Sequence, residues 1–404
     1  MKRILMLLMA TITTIPMVGL ASEVDTNIYG YINAYWEKAD PSPAPFDGVA
    51  VTREKNPGEY DVPNINVIVQ STFDTRFKGY LNLTAPGAEA LETANAWVEW
   101  QLYKNFLSLR WGKLYRPFGL YNEILDAVPT YIGIEPPELF DKDHLLLTRT
   151  TNVMLHGSVD VTDTSSIHYS MTTGNDEKRS DQVPMGFDVH YRLGTELKVG
   201  TSYYTTNGDA VSTVDYQNGG GHGSPRGGVL PWMEKDDYSV FGLYAEYTDV
   251  NWTVQVEYYK AKHDALRDAA DVTDLCANAT LNASQTARFN CGGVIDTNGD
   301  YDVETYYLRL GYNFDLGERG VLTPYLQYDV YENLENIAEK DFGGDNEAGL
   351  DDNGQMIKWT FGGVYRPVPS VALKVDWSNH LQDVGGSAEN YGEVRTSLSY
   401  YWRL

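Results

Sequence analysis

Apolar and polar residues alternate along most of this chain. Between positions 252 and 259, every second side chain is apolar or aromatic, namely Trp252, Val254, Val256 and Tyr258. Polar residues separate them, and the stretches 371–378 and 393–404 repeat the arrangement. Strict alternation is typical of a β-strand that turns one apolar face away from one wet face.

The same pattern predicts about sixteen strands, an even number with lengths close to the 9–11 residues of a tilted membrane strand. The predicted strands cover residues 27–37, 63–73, 75–85, 93–103, 105–113, 152–161, 165–174, 186–193, 195–205, 236–249, 251–262, 301–314, 319–332, 355–366, 369–380 and 391–404.

The connections between these strands alternate in length. Short turns are predicted at 74, 104, 162–164, 194, 250, 315–318 and 367–368. Long connections fall at 38–62, 86–92, 114–151, 175–185, 206–235, 263–300, 333–354 and 381–390. This alternation is typical of a transmembrane antiparallel β-barrel, whereas a soluble β-sandwich does not usually collect its long loops at one end. The chain also has no apolar run of about 18 residues that would predict a transmembrane helix.

The first 21 residues read as a secretory signal peptide. Lys2 and Arg3 precede an apolar run, and Gly19 and Ala21 supply small residues for cleavage after Ala21. A membrane anchor is the alternative, but the apolar core is short for one. We therefore expect residues 1–21 to be a signal peptide and residues 22–404 to form one barrel domain in the outer membrane.

Composition narrows the function classes. The 404 residues carry a formal charge of -25, and this acidic balance argues against binding to nucleic acid. Tyrosine (30) and tryptophan (9) are abundant, and both residue types favour membrane–water interfaces. We expect interfacial girdles built from the tyrosines together with eight tryptophans, Trp36, Trp97, Trp100, Trp111, Trp252, Trp359, Trp377 and Trp402.

One region resembles a known family. Residues 112–123 read Gly-Lys-Leu-Tyr-Arg-Pro-Phe-Gly-Leu-Tyr-Asn-Glu, and residues 138–143 and 152–157 continue the likeness. This stretch resembles substrate-selective porins of Gram-negative bacteria, the group that includes phosphate-selective and dicarboxylate porins. The resemblance implies a sixteen-stranded barrel, often trimeric, whose third long loop folds into the pore.

The chain departs from that family in two ways. The family commonly ends in an aromatic residue, whereas this chain ends in Leu404. Phosphate-selective members also carry many lysines in the loops and lumen, and this sequence is poor in them. Specificity for phosphate is therefore not carried over.

If the apolar face meets lipid, the opposite positions line a pore. Predicted wall and constriction residues are Arg76, Lys78, Glu99, Arg110, Lys113 and Arg116, with Glu123, Asp126, Glu138 and Asp141 on the inward loop. Farther along, the alternation points Lys198, Glu246, Glu257, Arg309, Asp329, Lys358, Lys374, Asp376 and Arg395 inward. One hypothesis is a basic wall of Arg76, Lys78 and Arg110 facing loop carboxylates. The alternative is that these charges merely hydrate a wide lumen.

Other candidate chemistry is weaker. His156, Ser158 and Asp160 share one strand face, but a hydrolase needs a Ser–His pair oriented by a third group, and no Gly-x-Ser-x-Gly motif occurs. Residues 296–302 have calcium-like carboxylate spacing without the glycine of an EF-hand, so a surface calcium shared with acidic residues 341–352 is a further alternative. Cys276 and Cys291 lie in one loop of an exported chain, which favours a disulfide over two free thiols.

The sequence thus predicts a porin with no enzymatic activity and no cofactor, passing small hydrophilic solutes by passive diffusion. Its expected partners are outer-membrane lipid, lipopolysaccharide and further copies of itself in a homotrimer. The alternatives are a substrate-selective channel for small organic anions, a barrel enzyme and a barrel plugged by its loops.

Overall fold

The computed structural model describes residues 24–40, 58–85, 91–124, 127, 129–134, 136–137, 150–174, 183–206, 230, 232–278, 281, 283–335, 355–384 and 387–404. Within these ranges there are sixteen long strands and one two-residue strand, β13. Their bounds are β1 Val24–Asp40, β2 Glu59–Phe73, β3 Phe77–Thr84, β4 Glu92–Tyr103, β5 Leu107–Leu114, β6 Thr150–Thr162, β7 Ser165–Gly174, β8 Met185–Leu193, β9 Leu197–Thr205, β10 Met233–Thr248, β11 Trp252–Arg267, β12 Tyr301–Tyr312, β13 Phe314–Asp315, β14 Val321–Asn333, β15 Gln355–Val368, β16 Val371–Val384 and β17 Ser387–Arg403.

The strands form one closed antiparallel sheet. Each long strand pairs with its neighbours in chain order, and β1 closes the barrel by pairing with both β2 and β17. Tyr31, for example, lies opposite Asn66 on one side and Tyr401 on the other. Closure leaves no free sheet edge, which is the condition for strands to cross a bilayer. The predicted sixteen-stranded barrel is confirmed.

Several strands are longer than the alternation predicts. β10 begins at Met233, and β11 continues to Arg267, because the two extensions pair with each other beyond the predicted ends. The predicted loop 263–300 also contains two helices, α1 (Ala269–Asn278) and α2 (Ala283–Phe289). In the described ranges no helix is long and apolar enough to cross a bilayer.

The two faces of the barrel wall differ as the alternation predicts. Val98, Trp111 and Val375 point outward and are 63%, 63% and 55% exposed. Charged residues such as Glu257 and Lys374 lie on the inner face and are buried. An apolar exterior of this kind matches a hydrocarbon environment and would be costly in water.

One predicted girdle tryptophan is on the wrong face. Trp100, Trp111, Trp252, Trp359 and Trp377 are exposed on the outside, as expected. Trp97 instead pairs with Gly112 and shares its face with Glu99, two residues along β4. Because side chains of a strand alternate between faces, Trp97 belongs to the lumen and not to the girdle.

The barrel has two distinct ends. At the short-turn end, Asp74 and Lys104 have positive φ values of 60° and 43° in tight turns. At the long-loop end, a disulfide joins Cys276 to Cys291 with a Cα–Cα distance of 5.4 Å, the state predicted from the sequence. Glu335 receives hydrogen bonds from both Arg267 and Arg288 and ties this loop to the wall.

We predict that Asp249 stabilises the β10–β11 turn in a pH-dependent way. Its carboxylate accepts hydrogen bonds from the amides of Asn251 (2.7 Å) and Trp252 (2.6 Å), and these bonds lower the pKa of Asp249. Because the pKa of Asp249 is lower in the folded than in the unfolded protein, its ionised carboxylate stabilises the fold. This stabilisation is present above the unfolded-state pKa of about 4 and is lost as the pH falls through the lower folded-state pKa.

Asp249→Ala should therefore lower the urea midpoint of unfolding in detergent at pH 7, with the difference from the wild type shrinking in acid. Asp264→Ala, at an exposed carboxylate on β11, is the matched control. Equal midpoints for the two variants at pH 7 would contradict the assignment.

Candidate functional site

A segment of the third long loop crosses the interior of the barrel. It leaves β5 after Leu114, and its second residue, Arg116, is only 1% exposed. The Arg116 guanidinium donates to the Thr172 hydroxyl on β7 (2.6 Å) and lies 5.2 Å from the Tyr204 ring centroid on β9. The start of the segment is thus held against the inner face of the wall.

The next turn of this segment is fixed by one carboxylate. Glu257 of β11 accepts hydrogen bonds from the Leu120 amide (3.0 Å) and from the hydroxyls of Tyr259 and Tyr307 (2.6 Å each). A buried carboxylate is costly unless it is satisfied in this way. The ring of Phe118 stacks on Tyr259 with 5.1 Å between centroids.

Gly119 allows this close approach. Its φ of +64° lies in the left-handed region, which favours glycine. A Cβ at this position would collide with Tyr259 and with Glu257. The Pro-Phe-Gly-Leu turn of the family resemblance therefore has a steric reason in this chain.

The segment then reaches the opposite wall. The Tyr121 hydroxyl donates to Gln255 (2.9 Å) and accepts a hydrogen bond from Arg309. Lys374 of β16 donates to the carbonyls of Tyr131 (3.1 Å) and Gly133 (2.7 Å).

Asp376, two residues farther along β16, accepts a hydrogen bond from the Ile134 amide at 2.9 Å. Together these contacts run from β7 to β16, so the segment spans the lumen and narrows it. The inward third loop implied by the resemblance is present over the described residues 115–124, 127 and 129–134.

A second cluster of charges lies on the wall from β3 to β6. Glu99 accepts two hydrogen bonds from Arg110 (2.9 and 2.7 Å) and lies 2.9 Å from His156 Nε2. Lys78 Nζ is 3.7 Å from the other Glu99 oxygen. When His156 is neutral, this cluster holds two cations against one carboxylate.

The hypothesis of a basic wall built from Arg76, Lys78 and Arg110 needs correction at Arg76. Lys78 and Arg110 face Glu99, a carboxylate of the wall itself. Arg76 is not part of this wall, because it lies in the β2–β3 turn, pairs with Asp74 at 3.2 Å and is 62% exposed. The physical reason is that strand β3 begins at Phe77, so residue 76 no longer follows the strand alternation.

The prediction that Lys113 lines the pore is also wrong. It lies opposite Ala96 and shares the outer face with Trp111, and its ammonium donates to the Thr93 carbonyl at 2.8 Å. It does not line the pore. Glu123 lies exposed on the inward segment, whereas Asp126, Glu138 and Asp141 are outside the described residues.

The sequence predicted the correct face for the wall residues that hold the inward segment, but it did not indicate that they bind this segment. The alternation points Glu257, Arg309, Lys374 and Asp376 inward, and the structure agrees. No sequence signal shows that they hold a loop more than a hundred residues away in the chain. The Gly119 turn was the only local indication of a close approach.

The residues considered for hydrolysis or for calcium binding make other contacts. His156 contacts Glu99, Asp300 accepts the Ala265 amide (3.1 Å), and Asp302 pairs with Lys260 (2.8 Å). Across the described ranges, no group of three His, Cys, Asp or Glu side chains is arranged to hold a metal ion. Acidic residues 341–352, named with the calcium alternative, lie outside these ranges.

Comparison with known proteins shows the fold. No protein-family model and no curated protein matches the chain at the sequence level. Among solved structures, it is similar to the outer membrane channel DcaP of Acinetobacter baumannii, with a TM-score of 0.56, 11% identity, and coverage of 96% of this chain and 100% of that one. It is also similar to an anion-selective porin from Comamonas acidovorans, with a TM-score of 0.57, 13% identity and coverage of 94% and 100%.

A third similar structure is the outer membrane protein OmpT of Vibrio cholerae in its trimer form, with a TM-score of 0.52, 12% identity and coverage of 94% and 100%. At these identities the likeness concerns the fold. The chain has the barrel architecture of outer-membrane channels.

We predict that Glu257 holds the inward segment in place. Glu257→Ala removes the acceptor of three donors, and leaving buried donors unsatisfied costs about 1–3 kcal/mol. Since each 1.4 kcal/mol is about tenfold in an equilibrium, chymotryptic cleavage after Phe118 or Tyr121, both 1% exposed, should accelerate about tenfold.

Glu304→Ala is the control, because Glu304 pairs with Lys260 on the outer face of β12. Equal cleavage rates in the two variants would show that the segment is held without Glu257.

Proposed function

We propose that the protein is an outer-membrane porin for passive diffusion of small hydrophilic solutes and ions. The observation that carries this proposal is the inward segment, described at residues 115–124, 127 and 129–134, which is tied across the polar interior of a closed barrel with an apolar exterior. Such an arrangement sorts solutes by size at the narrowed level and by charge along the wall. Export to the outer membrane through the predicted signal peptide is part of the proposal.

The proposed orientation places the short-turn end in the periplasm and the long-loop end outside the cell. This is the arrangement of bacterial outer-membrane barrels, and it fits the lengths of the connections. A homotrimer embedded in lipid and lipopolysaccharide is the proposed assembly, supported by the trimer form of the similar OmpT structure. We propose no enzymatic role, since Glu257, Lys374 and Asp376 bind the inward segment and Glu99 pairs with Arg110 of the wall.

A preference for small organic anions is the second candidate function. The cluster around Glu99 favours it, because Lys78 and Arg110 outnumber the single carboxylate between them. A partly exposed excess cation raises the local concentration of anions in a confined channel. The similarity to an anion-selective porin adds support at the level of the fold.

Release of the inward segment should widen the channel. In planar bilayers the wild type should show discrete conductance steps. The double variant Lys374→Ala, Asp376→Ala should show larger steps, because the contacts to Tyr131, Gly133 and Ile134 are lost. Lys260→Ala, on the outer face, is the control. Absence of any conductance from correctly folded wild type would overturn the proposed function.

Ion preference should depend on the Glu99 cluster. Lys78→Gln with Arg110→Gln leaves Glu99 without its cations, so the reversal potential in a KCl gradient at pH 7 should shift toward cation preference. Arg76→Gln should change it less, because Arg76 is paired in an exposed turn. An unchanged anion-to-cation ratio in the double variant would exclude this cluster from the selective part of the pore.

A further inference from the structure

Three of the seven histidines of the chain lie on one stretch of the inner wall near its short-turn end. His168 of β7 lies directly opposite His190 of β8, and their rings stack with 4.9 Å between centroids and 8° between ring planes. His156 of β6 lies beside them on the same face, two residues from Ser158, which is opposite His168. We call His168 and His190 the histidine pair.

Two lysine and arginine side chains extend this histidine pair into a cluster of charges that face the lumen. Arg192 lies two residues beyond His190 on β8, directly opposite Lys198 of β9. Within the described residues neither cation forms an ion pair, and the Lys198 ammonium lies 5.1 Å from the Tyr244 ring centroid. Cations directly opposite one another destabilise a sheet, so this arrangement has a cost for the fold.

Three carboxylates face the same cluster from its neighbouring strands, namely Asp160 of β6, Asp188 of β8 and Glu246 of β10. Asp188 is 3% exposed and accepts a hydrogen bond from His190 at 3.0 Å. Glu246 accepts a hydrogen bond from Gln255 at 2.6 Å. While the histidine pair is neutral, two cations thus face three carboxylates. One added proton makes the two signs equal.

The hydrogen bonds of His190 fix it as a neutral imidazole. A carboxylate only accepts, so Nδ1 carries the hydrogen that is donated to Asp188. The guanidinium of Arg192 only donates, and its Nε lies 3.4 Å from His190 Nε2, so this second ring nitrogen accepts. A proton added to His190 would break the contact with Arg192.

His168 can take up a proton without losing a contact. Its Nε2 lies 2.9 Å from the Ser166 hydroxyl, which can donate or accept. The side chain is half-buried at the lumen surface. A second proton on His190 would then place two charged rings 4.9 Å apart beside Arg192, so the histidine pair holds a single proton.

We propose that His168 determines ion selectivity in this channel, and that its protonation shifts the preference of the pore toward anions as the pH falls. Histidine is the side chain that ordinarily changes its charge between pH 5 and 8. The added charge lies at the surface of a confined channel, where it raises the local concentration of anions. This inference rests on the proposed channel function and adds regulation by pH to it.

The reversal potential in a KCl gradient, measured in planar bilayers with EDTA at pH 7.5 and at pH 5.0, tests the proposal. Carboxylates ordinarily titrate near pH 4 and stay largely ionised across this range. One charge about 8 Å from a passing ion, at a Debye length of about 10 Å, should raise the anion-to-cation permeability ratio about twofold at the lower pH.

Four variants separate a titrating charge from a permanent one. His168→Gln should lose most of the rise, because glutamine takes up no proton. His168→Lys should hold the ratio at its acid value at both pH values. Arg192→Gln should lower the ratio at both pH values and keep the rise. His156→Gln should also keep it, because Glu99 lies 2.9 Å from His156 and offsets a charge there.

The outcomes separate this inference from the channel function. A correctly folded wild type without conductance overturns the channel function itself. A conducting wild type with equal permeability ratios at the two pH values overturns the role of His168 alone, and so does an undiminished rise in His168→Gln. A rise that is seen only without EDTA would assign the histidine pair to a metal ion and also overturn this proposal.

Discussion

The rest of the structure depends on the need to pair every backbone amide within the bilayer. A strand in hydrocarbon has no water to bond, so the sheet must close on itself, and here β1 does so by pairing with β17. Closure creates an interior that polar residues must line. It also leaves a wide opening, and the inward segment is the chain's means of narrowing it.

The same alternation that allows closure also limits what the sequence can predict. A period of two assigns each residue to a face, and it placed Glu257, Lys374 and Asp376 correctly. The period of two gives the wrong position for Arg76, because this residue precedes the first residue of β3. Trp97 was assigned wrongly for a different reason, namely its residue type. Trp97 was expected in a girdle because tryptophan favours interfaces, yet its position two residues from Glu99 already placed it in the lumen.

The contacts of the inward segment lie beyond any local rule. Gly119 signals a tight turn, but the partner of that turn, Glu257, is 137 residues away from the Leu120 amide that it binds. Such pairings depend on the diameter of the closed barrel. The alternation of residues along a strand does not determine this diameter. For the same reason the sequence named the charged residues of the Glu99 cluster without showing that they pair with one another.

The bond between Ile134 and Asp376 also constrains the order of assembly. It joins residues 242 positions apart, and Asp376 lies on β16, the last strand but one. Long-range contacts form late because the loop entropy must first be lost. The segment can be locked in place only after nearly the whole barrel exists. A barrel that is not yet fully assembled would therefore have an unnarrowed pore. The pore is narrowed at the same late stage at which the sheet closes.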